Sequence, residues 1–360
     1  MTLEAVLTKR RRQFPWRELR DRETWQPGWL SSTAPRVLVI GAGLAGLTCA
    51  EELIRAGWSV TIVDKARGAG GRASTRRAGE LRFDHGAQVL TPRDPRFLER
   101  VASWQLEGLV ANWEGVRVQL RPGQVLDRQP CARLVGAPGM SSPIRELARA
   151  HGVRFGVRIE ALTREPDGWR GLTGGEVLGP FDQVVLAIPA PQAVPLLEPI
   201  APQLAEGAKQ VEFAPCWATL VAFSKPLPVE WDSAQVENSP LAWIAHDTSK
   251  PGRPRGGSAC WVLHASEAWS INHLERTPDW VARELLRALS ELVSPLPDTL
   301  VLDAHRWLYA RTLKSLGVPF LQDEELGISL CGDGYLGERL ESAFLSGLAL
   351  GEQLVPNSMA

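Results

Sequence analysis

Three glycines in the run Gly41-Ala42-Gly43-Leu44-Ala45-Gly46 stand at the spacing that lets a main chain bind a diphosphate. The first permits a tight turn, the second lets the backbone approach a pyrophosphate, and the third brings the following helix against the preceding strand. The helix opening near Leu44 and Ala45 then offers unpaired N–H groups and a partial positive charge to the phosphates. Asp64 follows, with Lys65 beside it, and its carboxylate accepts hydrogen bonds from an adenosine ribose. A second glycine-rich run, Gly68-Ala69-Gly70-Gly71-Arg72, adds a guanidinium that pairs a diphosphate in bidentate fashion. Near the C-terminus, Gly332-Asp333 places a carboxylate ahead of a helix that carries Glu341 near its start, and that helix end stabilises an anion. The glycine turn is shared by proteins that bind NAD, NADP and FAD.

These groups need a scaffold. Arg36 to Ile40 is an apolar run of strand length that stops at the glycines, as a buried parallel strand does. Leu44, Leu47, Ala50, Leu53 and Ile54 recur at helical spacing up to Gly57, and Ser59 to Val63 is a second apolar run. Strand, helix and strand make a βαβ unit with a right-handed crossover. Val184 to Ile188 and Gly327 to Cys331 read as further strands of the same sheet, with a helix over about 338–354. The intervening texture differs: 93–149 is rich in Arg, Trp and Pro, and 200–300 mixes short strands with helices. The expected division is a basic N-terminal extension over 1–34, a nucleotide-binding domain from 35–92, 150–192 and 300–360, and a second domain from 93–149 and 193–299.

Composition excludes several classes. A chain of 360 residues with 44% hydrophobic content buries a sizeable core. A net charge of −1 provides no global basic field for nucleic acid. The five cysteines form no C-x-x-C pair, which points away from zinc and disulfide frameworks, with no metal expected, and towards a reducing compartment. No apolar run approaches the ~20 residues of a membrane span. The first 36 residues carry a local excess of Lys and Arg, but their interspersed acids and missing apolar core fit neither a transit nor a secretory peptide. A cytoplasmic monomer or homodimer is the expectation.

Taken together, the Gly41–Gly46 turn, Gly70-Gly71-Arg72 and Gly332-Asp333 with its helix resemble the FAD-binding fold of the flavin amine oxidase superfamily. Asp84-His85-Gly86-Ala87-Gln88, Trp243-Ile244-Ala245, Ser249-Lys250-Pro251-Gly252-Arg253, Trp261 to Ala265 and His305-Arg306-Trp307-Leu308-Tyr309-Ala310 resemble its bacterial renalase group over about 36–355. The resemblance implies an α/β architecture: a Rossmann-like, p-hydroxybenzoate-hydroxylase-like FAD domain with an inserted α+β substrate domain on an antiparallel sheet. It implies non-covalent FAD held by Gly41, Gly43, Ala45, Gly46, Asp64, Lys65, Gly71, Arg72, Gln88, Gly332, Asp333 and Glu341. It also implies oxidation of dihydronicotinamide isomers of NAD(P)H to NAD(P)+, with hydride transfer to flavin N5 and molecular oxygen as acceptor. Gln88, Trp243, His264, His305 and Trp307, with Gly86 and Ala87, would then surround the reacting rings.

Each pocket residue has a plainer role available. His305 can be a core histidine, and most tryptophans of a chain with 14 must be packing residues. Arg93, Arg96 and Arg100 suit substrate phosphates or a solvated helix face. Asp64 stands where FAD enzymes more often have Glu, which shortens its reach and keeps an NAD reading open. Cys331 beside Gly332 suits a buried thiol or a flavin thioether. Only Lys225, Lys250 and Lys314 are placed to serve as an amine oxidase lysine, and Tyr309 with Tyr335 makes a poor aromatic cage. The alternatives are therefore an amine oxidase or desaturase on the same fold, or a nucleotide-binding redox sensor without turnover.

Overall fold

The computed structural model describes residues 34–254 and 256–355. The 1–34 extension therefore lies outside the described residues, apart from Ala34. The chain opens with β1 (Arg36–Ile40), α1 (Leu44–Arg55) and β2 (Ser59–Asp64), followed by the hairpin β3 (Thr75–Ala78) and β4 (Leu81–Asp84). Next come α2 (Pro95–Leu106), the long hairpin β5 (Val110–Arg121) and β6 (Gln124–Gly136), α3 (Ser142–His151) and β7 (Arg154–Phe155). A small meander, β8 (Ala161–Glu165), β9 (Gly168–Leu172) and β10 (Val177–Phe181), leads to β11 (Gln183–Leu186), α4 (Ala190–Leu197) and α5 (Pro202–Lys209). Then follow β12 (Glu212–Phe223), β13 (Ser233–Val236), β14 (Leu241–His246), β15 (Ala259–Ala265), α6 (Glu267–Asn272), α7 (Pro278–Ser290) and β16 (Thr299–Lys314). The chain closes with β17 (Phe320–Asp323), β18 (Ile328–Cys331), α8 (Asp333–Leu336) and α9 (Leu340–Leu354).

Two sheets carry the architecture. The first has the order β17-β18-β11-β1-β2-β7 and is parallel except for β17. Its central strand is buried almost throughout, which is why β1 reads as a continuous apolar run. Helix α1 lies on this sheet with α9 across it, and the two approach so closely that a Cβ on Gly347 would stand 2.1 Å from the Ala45 carbonyl oxygen. We expect Gly347→Val to cost about 3 kcal/mol or more, because backbone must move to admit the side chain. Chemical denaturation of the variant measures this, and unchanged stability would contradict the packing.

The second sheet has the order β16-β12-β15-β14-β13-β5-β6 and is antiparallel except for the β13–β5 pair. Helix α7 covers it, capped by the Thr277 side chain and started by Pro278. The expected domain division needs three corrections here, one being that α4 and α5, expected from residue 193 on in the second domain, pack into the core of the first sheet beside Leu38 and Val184. Strand β16 joins the second sheet along β12, from Glu212↔Lys314 to Phe223↔Thr299, so the nucleotide sheet resumes only at β17. Helix α3 packs on α1 and so leaves the second domain. Hydrophobic periodicity shows that a segment is a strand or a helix, but the layer it joins is set by long-range pairing.

Candidate functional site

The glycines of the first turn behave as their spacing requires. Gly41 has φ +113°, and a Cβ there would stand 2.5 Å from the Ala187 carbonyl oxygen. Gly46 brings α1 onto the turn, with the Gly41 oxygen 2.1 Å from where a Cβ would sit. Gly43 is the opposite case: nothing lies within 4 Å of its Cβ position, so the main chain is bare towards the cavity. It is also the N-cap of α1, with no side chain capping the helix, which leaves the first N–H groups free for a ligand. Gly71 of the second loop abuts this turn, its Cβ position 3.6 Å from Gly43 Cα.

A cavity of about 1460 Å³ runs from these loops to the second sheet. It exceeds the ~300–1,000 Å³ of a typical single-ligand site, so a dinucleotide and a second molecule fit together. Of the residues expected to hold the cofactor, Gly41, Gly43, Ala45, Asp64, Lys65, Gly71, Arg72, Gly332 and Asp333 line it. Gly46 acts from behind, through packing.

Asp64 is already engaged. Its carboxylate accepts from Ala42 N at 2.8 Å and Ala66 N at 2.7 Å, so the short side chain grips the glycine turn. A carboxylate has about four acceptor sites, so capacity remains for ribose hydroxyls. Lys65 donates to the Gln192 side chain at 2.8 Å. Across the cavity, Arg72 and Asp333 face each other in a bidentate pair, one bond of 2.8 Å, and Thr312 of β16 donates to Asp333 at 3.1 Å. Buried Cys331 lies against Cys49, which makes it a strand thiol within the core.

Two expected cofactor residues stand elsewhere. Glu341 accepts from the backbone N–H groups of Arg93 and Asp94 and thereby holds the entrance to α2. Gln88 is buried behind the cavity wall: its amide donates to the carbonyls of Asp84 and Gly86, and its oxygen accepts from Lys250 at 3.1 Å. The polar tip of Glu341 is consumed by main chain and that of Gln88 by main chain and the Lys250 side chain, which sequence spacing does not reveal. The arginines of α2 are likewise spent, Arg96 on Asp94 and Arg100 on Glu51.

The far end of the cavity is a wall of rings. His85, Trp243, His264, His305 and Trp307 all line it, with Cys216, Phe213 and Tyr309. Trp307 donates to the His85 carbonyl at 2.9 Å, and a His264 ring nitrogen lies 3.3 Å from the same oxygen. The ring centroids of His85 and Trp307 are 5.1 Å apart, and those of His305 and Trp307 are 4.3 Å apart at 71°. Arg133 covers one face of Trp243 at 5.1 Å, and the ring's Nε1 is buried without a hydrogen-bond partner.

All three histidines are held neutral. Burial, aided by His305, Arg76 and His264, pushes His85 down to about 3. Burial pushes His264 down to about 4, and burial with the Arg76 charge lowers His305. Burial also pushes the Cys216 thiol up to about 12. The ring wall therefore offers aromatic faces and neutral imidazoles, with Glu267, Arg306 and Arg311 lining the same cavity. His85 is the main residue that sequence reasoning passed over. Its signal was present in Asp84-His85-Gly86-Ala87-Gln88, but the choice within that run fell on Gln88.

Comparison with known proteins gives this geometry a lineage. Residues 102–349 match the family of flavin containing amine oxidoreductases, and residues 39–103 match the NAD(P)-binding Rossmann-like domain. Residues 1–30 match a family described as Tryptophan-rich protein. Mouse renalase is 25% identical over 307 residues, 78% of this chain and 86% of the relative. A phytoene desaturase of Cereibacter sphaeroides is 46% identical, but over only 61 residues, 12% of its own length. Among solved structures, cyclohexylamine oxidase from Brevibacterium oxydans superposes with a TM-score of 0.68 at 13% identity, covering 89% of this chain and 99% of that one. An oxidoreductase from Methanosarcina mazei gives 0.64 at 14% identity, covering 88% and 100%.

Proposed function

The chain belongs to the flavin containing amine oxidoreductase family, and on that premise we propose that it oxidises dihydronicotinamide isomers of NAD(P)H to NAD(P)+. It is an FAD-dependent oxidoreductase, and the bare main chain at Gly43 with the Arg72 and Asp333 pair suits the cofactor's diphosphate and ribityl chain. FAD supplies a two-electron acceptor that takes a hydride and passes the electrons on, here to molecular oxygen.

The observation that carries the reading is the neutral wall of His85, His264, His305, Trp243 and Trp307. A dihydronicotinamide ring enters uncharged and leaves as a cation after losing hydride. Neutral histidines impose no repulsion on that developing charge, and indole faces attract it. Hydride transfer needs orientation rather than proton removal, so a wall of aromatic faces and neutral imidazoles is sufficient. Trp307 and His264 share the His85 carbonyl, which fixes these two side chains relative to the His85 main chain and to each other.

An amine oxidase reading is less well served. Of the three candidate lysines, Lys225 is exposed, Lys314 is exposed near Glu212 at 3.7 Å, and Lys250 is buried in an ion cluster behind the wall. The desaturases among the relatives match over only 58 to 89 residues of this chain. The proposed reading is tested by anaerobic stopped-flow, following flavin absorbance near ~450 nm while the FAD-loaded protein meets dihydronicotinamide isomers, NADH or a panel of amines. Fast bleaching by the isomers alone is expected, whereas bleaching by an amine alone would transfer the function to amine oxidation. A flavin that none of these reduces would favour a redox sensor.

A further inference from the structure

Behind the ring wall lies a cluster of four charged side chains that the reaction does not use. Lys250 stands 3.1 Å from Asp84 Oδ2 and 2.6 Å from Asp247 Oδ1, and Arg253 pairs with Asp84. Their side chains are 0%, 0%, 0% and 1% exposed. Asp84 also accepts from Thr75 at 2.7 Å and Met140 N at 3.0 Å, and Asp247 accepts from Asp84 N. Arg253 reaches on to the Pro138 carbonyl. The cluster thus joins the β3–β4 hairpin, the 137–141 loop and the 247–253 turn. Stability alone gives little reason for it, because buried ion clusters are often replaceable by apolar residues without loss.

Its connection to the cavity gives a reason. Lysine only donates, so Lys250 draws the Gln88 carboxamide oxygen to itself and turns the amide group towards the carbonyls of Asp84 and Gly86. Gly86 has no side chain with which to fix its place, and a Cβ there would fall 1.9 Å from the Arg72 carbonyl oxygen. The His85-Gly86-Ala87 main chain, which lines the cavity, is therefore set by polar anchors: Gln88 on Gly86 O at 3.1 Å, Ala87 N on Arg72 O at 2.8 Å, and Trp307 and His264 on His85 O.

We propose that the buried Lys250, Asp84, Asp247 and Arg253 cluster, relayed through Gln88, sets the position of the His85–Ala87 main chain against the bound flavin. Lys250 is its central positioning residue. It acts through Gln88 and touches neither cofactor nor substrate.

The test uses the full FAD-loaded chain and needs no substrate. Lys250→Met combined with Asp247→Asn removes one charge of each sign, Gln88→Leu cuts the relay without changing charge, and Lys250→Arg keeps a cationic donor. The readouts are the visible absorption and circular dichroism of the flavin, and its equilibrium with a reference redox dye. We expect the double variant and Gln88→Leu to alter the spectra and shift the reduction equilibrium about tenfold, which for two electrons is about 30 mV. Lys250→Arg should stay within about threefold of the parent. Unchanged spectra and equilibrium in FAD-bound Gln88→Leu, with only the melting temperature lowered, would overturn the proposal. Should the double variant fail to fold, Gln88→Leu still decides. Because no dihydronicotinamide is involved, failure here leaves the proposed substrate standing, and failure of that substrate leaves this result standing.

Discussion

Gly86→Ala is expected to abolish stable FAD retention and to destabilise the fold by about 3 kcal/mol or more. The added methyl would lie 1.9 Å from the Arg72 carbonyl oxygen and 2.8 Å from its carbon. Both partners are main chain, so no side chain can swing aside, and the two loops must separate. That separation breaks the Ala87 N to Arg72 O bond and moves the Arg72 loop away from the Gly43 turn it abuts. The shape of the cavity is thereby lost at the junction between its two ends. Purification of the variant with free FAD, followed by flavin fluorescence and urea denaturation, measures both effects. A yellow protein with parental stability would show that the loops are not in contact as described.

The second large effect is a loss of stability in mild acid. An ordinary histidine titrates near 6.5, whereas His85 and His264 do so at about 3 and about 4 in the folded chain. As pH falls through 6.5, the unfolded chain takes up protons that the folded chain refuses, so these groups contribute an increasing penalty until their folded values are reached. Each costs about 1.4 kcal/mol per pH unit across that window, so the pair removes roughly 4 kcal/mol between pH 7 and pH 5. Carboxylates enter later, except Asp247, which burial raises and whose protonation in the folded chain opposes the loss. Burial alone would raise Asp84, but Lys250, Arg253 and its hydrogen bonds outweigh that and hold it below the ordinary value, so its contribution fades only in stronger acid. Denaturant titrations at pH 7, 6 and 5, run on the parent and on a variant lacking the His264 ring, measure the histidines' share. A flat stability across that range would falsify their neutral burial, and the variant should show a shallower slope.

Both effects bear on the same loop from opposite directions. Gly86 fits because nothing larger is admitted, and His85 stays neutral because it is walled in by rings. The wall is thus rigid and uncharged for the same reason, its enclosure between two sheets.

The cofactor half of this protein was legible in the sequence because its chemistry is main-chain chemistry. The turn at Gly41, the bare approach at Gly43 and the packing at Gly46 all lie within one βαβ unit, where spacing along the chain dictates spacing in space. The strands at 36–40, 59–64 and 328–331 follow from the same short-range periodicity. The ring wall was legible only as a set of candidates, since His85, Trp243, His264 and Trp307 come from four separate segments. What no sequence pattern decided is which polar tips face the cavity. Gln88 and Glu341 carry the right groups in the right runs, yet Gln88 spends its amide on carbonyls of its own run and its oxygen on distant Lys250, and Glu341 spends its carboxylate on the backbone of Arg93 and Asp94 that only the folded chain brings near. Lys250, one of three lysines placed in the sequence to serve near a flavin, lies fully buried among carboxylates instead. Its partners Asp84 and Asp247 are far apart in the chain, and the desolvation that makes such a group matter exists only once the β3–β4 hairpin, the 137–141 loop and the 247–253 turn have closed over it.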